Sequence, residues 1–157
     1  GPEHTIFSDG RNFDQAWGAI TGVPSKTGEF RHAASNKCFD DSGARLDRGN
    51  KMILWPCNNN LAQRITFHQI QGANNLMLVF GHCIEAANGE TGNNLVVWIN
   101  YCNRAAPGQN WVKRTDGSIF NPNSGRCLAP FNGSTADGTQ MVITDCNGSA
   151  HQRWNTP

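Results

Sequence analysis

Long apolar runs are missing from this chain. The longest hold five residues, Leu76–Phe80 and Leu95–Ile99. A helical membrane span needs roughly 18 or more, so membrane insertion is not expected. Charge is scarce too. Charged residues make up 16% of the chain, and 13 Lys and Arg against 12 Asp and Glu leave a formal net charge of +1. No basic stripe stands out, and the electrostatic footprint of a nucleic-acid binder is missing with it. No long stretch repeats apolar residues at the helical period, which argues against amphipathic helices. Catalytic signatures are lacking as well. Neither Gly-x-Ser-x-Gly nor a phosphate loop occurs, and His4, His32, His68, His82 and His151 show no metal-ligand spacing. Asp40 and Asp41 are adjacent acids, but strand neighbours point to opposite faces, and a carboxylate pair in glycoside hydrolysis must flank one bond. The chain is therefore expected to be no enzyme and to hold no metal or cofactor.

What is present is a repeat. Six cysteines fall in three frames: Cys38 and Cys57, Cys83 and Cys102, Cys127 and Cys146. Each pair is separated by 19 residues (57−38, 102−83, 146−127), and the frames recur after 45 and then 44 residues (83−38, 127−83). Self-similarity at such a period identifies one unit in three copies. Gln-x-apolar follows each second cysteine, as Gln63-Arg64-Ile65, Gln109-Asn110-Trp111 and Gln152-Arg153-Trp154. A short apolar strand precedes it, as Met52–Trp55, Leu95–Ile99 and Met141–Ile143. The chain holds 17 Gly and 19 Asn, and Gly, Asn-Gly and Asp-Gly supply the positive φ angles of tight turns. Many short β-branched or aromatic runs between turn signals predict an all-β barrel or sandwich.

An even cysteine count in regular frames predicts disulfides within each frame and an oxidising compartment. Zinc is the rival reading, but structural zinc cysteines stand about two to four residues apart, and no His-x₃₋₅-His accompanies these. No signal peptide is visible, so a mature form is expected, with Gly1-Pro2 as the scar of a cleaved tag. Asn132-Gly133-Ser134 and Asn147-Gly148-Ser149 are glycosylation acceptors in a eukaryotic source.

The cysteine frames, the apolar strand and the Gln-x-Trp motif, three times in register from about residue 29 to 157, resemble the ricin B-chain type of lectin domain, also known as a family 13 carbohydrate-binding module. The resemblance implies a β-trefoil of three units of about 45 residues (29–70, 71–114 and 115–157) around a pseudo-threefold axis. It implies that Trp111 and Trp154 meet in the core. Ile65 at the equivalent place agrees, because an aliphatic side chain keeps a core but offers no stacking platform.

The resemblance also implies a sugar pocket. A carboxylate two residues after the first cysteine accepts from vicinal hydroxyls. An aromatic two residues before the second cysteine stacks on the apolar face of the ring. An amide near the Gln-x-Trp motif completes the polar set. The first unit fits best, with Asp40, Trp55 and Gln63. It departs from the pattern at Ile53 and Ala62, where Asn58, Asn59 and Asn60 stand near enough to substitute, Asn60 above all. The second unit brings Glu85, Asn100 in the aromatic's place, Gln109, and Trp98 two residues earlier on the same strand face. The third has lost the carboxylate to Ala129 and the aromatic to Thr144, with His151 before Gln152, leaving Phe131, Asn132 and Asp137 for a different pocket.

Residues 1–28 lie outside the repeats. They carry Phe7, Phe13, Trp17 and Ile20, with a fourth Gln-x-Trp at Gln15–Trp17. The segment reads as the last strand of a preceding domain or as an extension packed on the barrel; a disordered arm lacks this aromatic density, which favours packing. The functional expectation is a secreted, extracellular, non-catalytic lectin whose partners are glycans or glycoproteins. The alternatives are a secreted interaction protein, such as an effector or inhibitor, and the targeting module of a toxin or glycosidase, with a protein partner or a larger parent chain.

Overall fold

The Gly- and Asn-rich turns cut the chain into short extended pieces. In a computed structural model describing residues 25–69 and 72–157, these pieces form thirteen strands. They are β1 (Lys26–Gly28), β2 (Arg31–His32), β3 (Cys38–Asp41), β4 (Met52–Trp55), β5 (Ile65–His68), β6 (Leu76–Val79) and β7 (His82–Ala86). After these come β8 (Leu95–Asn100), β9 (Val112–Lys113), β10 (Ile119–Asn121), β11 (Arg126–Pro130), β12 (Met141–Asp145) and β13 (Trp154–Asn155). The expectations for Phe7, Phe13, Trp17 and Ile20 lie outside the described residues. β1, which the sequence reading assigned to the extension, pairs with β5.

Nine strands join in the order β1-β5-β6-β7-β8-β12-β11-β10-β9, and four in the order β13-β2-β3-β4. The last strand, β13, pairs with β2, so the third unit closes on the first. Each unit contributes one hairpin in the same register, with Cys38 facing Trp55, Cys83 facing Asn100 and Cys127 facing Thr144. The disulfides Cys38–Cys57, Cys83–Cys102 and Cys127–Cys146 clamp these hairpins, and no cysteine is free among the described residues. This is the β-trefoil.

The core gathers equivalent side chains from all three units. Ile65, Trp111 and Trp154 are buried together with Phe30, Phe39, Leu54, Ile84, Ile99, Leu128 and Ile143. Burying each such side chain stabilises by roughly 1.5–3 kcal/mol. The indoles add no orphan donor, since Trp111 Nε1 donates to the Ile84 carbonyl at 2.9 Å and Trp154 Nε1 to that of Leu128 at 3.3 Å. Aliphatic Ile65 has no such donor to satisfy.

The axis itself is marked by one amide. Met52, Val97 and Met141 are equivalent, for they face Asp41, Ala86 and Pro130, each three residues after the unit's first cysteine. Gln140 Nε2 donates to the carbonyls of Met52 at 3.1 Å, Val97 at 3.1 Å and Met141 at 2.8 Å. Lys51 and Val96, the equivalents of Gln140, are exposed.

Candidate functional site

The motif glutamine does the same structural task three times. Gln63, Gln109 and Gln152 are buried at the ends of 3₁₀ turns spanning Leu61–Gln63, Pro107–Gln109 and Ala150–Gln152. Each accepts at Oε1 from the amide that follows the second cysteine: Asn58 at 3.0 Å, Asn103 at 2.9 Å and Asn147 at 2.8 Å. Each donates from Nε2 to the carbonyl that precedes it: Pro56 at 2.9 Å, Tyr101 at 2.9 Å and Asp145 at 2.7 Å. In two units Nε2 also reaches the carboxylate, Asp40 Oδ2 at 2.8 Å and Glu85 Oε2 at 3.1 Å. The third unit has Ala129 there and makes no such bond. The glutamine thus joins the loop after the hairpin to the carboxylate. Gln63 stands behind the first hollow as a brace, while Gln109 and Gln152 also line theirs.

In the first unit an open cavity of about 350 Å³ is lined by Asp40, Ile53, Trp55, Asn58, Asn60 and the Ser42–Ala44 turn. Gln63 is not part of the lining. Trp55 is 40% exposed, an unusual state for so large a ring, and its indole forms one wall. Asp40 is buried, and burial raises its carboxyl above the ordinary value although the Gln63 amide opposes the shift. Among the described residues Oδ1 receives no hydrogen bond, which leaves one acceptor edge toward the cavity. Asn58 and Asn60 accept at Oδ1 from the amides of Asn60 and Ala62, both at 2.9 Å. Their –NH₂ groups remain as donors. Ile53, a departure from the family pattern, is the cross-strand partner of Asp40 and closes the floor.

The second unit differs from expectation. A cavity of about 300 Å³ is lined by Arg48, Glu85, Asn100, Tyr101, Asn103 and Gln109, with Ala106. Trp98 does not line it. Its ring lies under Gly49 of the preceding unit's hairpin loop, and its Nε1 donates to Glu85 Oε1 at 2.7 Å. The same oxygen accepts from Asn100 Nδ2 at 3.0 Å. Tyr101, one residue after the expected aromatic place, was not singled out in the sequence. Nor was Arg48, for nothing local marks a residue more than 30 positions before Cys83 as part of that unit's pocket.

The third unit keeps a cavity of about 350 Å³, lined among others by Ala129, Asn132, Thr144, Asn147, Ser149 and His151. Phe131 and Asp137 are not in it. The hollow survives without its carboxylate because the hairpin backbone shapes it. Gly43, Asn88 and Asn132, five residues after each first cysteine, all take positive φ angles, of 69°, 56° and 55°. Both glycosylation acceptors, Asn132 and Asn147, are exposed at this rim.

One group of ligand-type atoms clusters among the described residues, Glu29 with Cys38 and Cys57. Both sulfurs are in a disulfide, and a disulfide offers no thiolate to a metal.

Three braced hairpins around one axis, each with an open polar hollow beside its disulfide, define a β-trefoil binding domain. The chain matches the ricin-type beta-trefoil lectin domain over residues 26–154 and belongs to that family. It is therefore a lectin-type carbohydrate-binding domain. It is 32% identical over 117 residues to a seed lectin of Trichosanthes anguina, covering 74% of this chain and 21% of that protein. It is 31% identical over 119 residues to nigrin b of Sambucus nigra, covering 74% and 20%. The chain thus spans about a fifth of the length of these relatives. Among solved structures it resembles the designed threefold-symmetric protein ThreeFoil, with a TM-score of 0.76 and 20% identity over 82% of this chain and 95% of that one. That likeness concerns the fold.

Proposed function

We propose that the chain is a secreted, non-catalytic lectin domain whose first unit binds the terminus of a mono- or oligosaccharide. Asp40 accepts hydrogen bonds from vicinal hydroxyls, Trp55 stacks on the apolar ring face, and Asn58 and Asn60 donate from the opposite wall. The observation that carries this reading is the meeting of a braced, half-committed carboxylate and an exposed indole in one open cavity. An ionised carboxylate is an acceptor only, suited to a pair of hydroxyls, and a rigid ring covers the apolar sugar face at little entropy cost. The three disulfides support an extracellular location. The small share of the relatives' length favours a sugar-targeting unit within a larger protein.

The test is binding of wild type, Asp40→Ala, Asp40→Asn and Trp55→Ala to one glycan-coated surface. A shallow site of this kind gives millimolar affinity, about −4 kcal/mol. Losing a charge-assisted hydrogen bond costs about 1.5–3 kcal/mol, so the Asp40 variants should lose most of the signal, and Trp55→Ala should lose it through the missing ring face. Unchanged binding in all three would overturn the assignment.

A further inference from the structure

We propose that the second-unit pocket takes a saccharide bearing an acidic substituent, a carboxylate or a sulfate ester, and that Arg48 selects it. The proposal rests on the reading of the chain as a sugar binder.

The aromatic rings of this pocket are partly engaged. Trp98 is half-buried against the loop at Gly49 and is not in the lining. Tyr101 is exposed, but the Arg48 guanidinium stands over its ring, 4.7 Å from the centroid. A neutral sugar stacking on that face competes with the cation. Glu85 does not make up the difference. Its Oε1 accepts from Trp98, Asn100 and the Asn88 amide, and its Oε2 accepts from Gln109. One acceptor position remains, on Oε2.

Arg48 is the group left to act. Its Nε donates to Asn100 Oδ1 at 3.0 Å, which fixes the plane of the guanidinium. Among the described residues it makes no ion pair, and its two terminal nitrogens carry no hydrogen bond. The backbone beneath it is tethered to the second unit, with the Gly49 amide donating to the Ile99 carbonyl at 2.8 Å and the Ile99 amide to that of Asn50 at 3.0 Å. A planar cationic fork held in place and open at one edge is suited to bidentate recognition of an oxyanion.

The symmetry of the fold gives this position an equivalent in each unit, and the three differ in charge. Arg48, Asn93 and Asp137 each stand four residues before the axial residues Met52, Val97 and Met141. The loop of each unit therefore serves the next. Asn93 accepts from Thr144 Oγ1 at 3.0 Å, as Asn100 accepts from Arg48 one pocket earlier. Gly138, next to Asp137, lies beside the Trp55 ring as Gly49 lies beside Trp98. One equivalent site thus carries a cation over the second pocket, an amide over the third and an acid beside the first. That acid, Asp137, is paired with Lys37 at 2.8 Å.

The experiment is a residue-resolved ¹H–¹⁵N titration of the whole chain with methyl β-glucuronide, glucose 6-sulfate, methyl β-glucoside and inorganic sulfate. The two acidic sugars should shift Tyr101, Asn103 and the Trp98 indole, with affinity about tenfold above the neutral sugar, as one charge-assisted bond allows. Arg48→Gln should abolish the difference and Arg48→Lys should keep part of it. Arg48 is exposed, so neither variant threatens the fold. In wild type the preference should shrink in about 0.5 M salt. Equal affinity for acidic and neutral sugars, or a preference surviving in Arg48→Gln, would overturn the proposal. Inorganic sulfate binding as tightly as the acidic sugars would overturn its saccharide half. A response to neutral sugar at Ser42 and Asn58 with no preference at Tyr101 would sink this inference alone. No response at either pocket would sink the lectin reading.

Discussion

Gln63 donates to Asp40 at 2.8 Å while its other contacts hold the backbone on both sides of Cys57. The carboxylate that faces the cavity is thus aimed by the same side chain that folds the loop beneath it. On the proposed reading, structure and recognition are coupled at this residue in the first unit and uncoupled in the third, where Gln152 keeps its backbone bonds and has no carboxylate to aim.

Gln63→Leu should therefore lower stability and sugar binding together. It strands a buried carboxylate oxygen and two backbone groups, at a cost of about 1–3 kcal/mol. Gln152→Leu should cost a similar stability while leaving binding at the first pocket intact. Denaturant unfolding beside glycan binding separates the two variants.

Asp41 should make the domain more stable in mild acid. It is fully buried, its Oδ2 has no partner among the described residues, and its Oδ1 accepts from Asn50 at 2.7 Å. Burial pushes its carboxyl up from 3.8 to about 7, with the charge of Asp40 adding to the rise and the Asn50 bond opposing it. A folded value above the unfolded one means the folded state holds the proton more tightly. The contribution is whole below about pH 4 and is lost as pH rises through about 7. Asp41→Asn should flatten this trend and raise Tm at pH 8. Melting curves of both proteins at pH 4, 6 and 8 check it, and parallel curves would contradict it.

Ala44 holds a left-handed φ of 56° where the other units place Gly89 and Gly133. Such a conformation costs a non-glycine residue roughly 1–2 kcal/mol, partly offset by glycine's greater loss of freedom on folding. Ala44→Gly should raise stability by about 0.5 kcal/mol, and Gly133→Ala should lower it by about 1 kcal/mol. Calorimetry of the two variants should show shifts of opposite sign.

Gln140→Leu should cost about 1–3 kcal/mol, because three inward carbonyls lose the amide donor they share at the axis. Sugar binding at the first pocket should be unchanged in the variant that remains folded. A drop in affinity without a drop in Tm would show that the axis does something other than hold the units together.

Much of this was readable before any coordinates. The trefoil, the disulfide pairing and the burial of Trp111 and Trp154 follow from signals repeated three times, and repetition separates a pattern from an accident. Asp40 and Trp55 were legible because they stand at fixed offsets from a cysteine. What stayed hidden depends on contacts between units. Strand alternation correctly puts Trp98 on the face of Glu85. Whether its ring opens to the cavity is decided by Gly49, which arrives from the neighbouring hairpin. Arg48 and Gln140 act across units in the same way, and no local spacing announces them. The inward role of Gln63 was hidden for another reason, since a motif reports that an amide is needed and not which way it faces.

Gln140 carries a further consequence. One of three equivalent positions turns inward: Gln140 reaches the axis, while Lys51 and Val96 are exposed. The hairpins, disulfides and hollows of this chain follow the threefold pattern, and its centre departs from it. The amide at the axis is a mark by which the third unit differs from the other two.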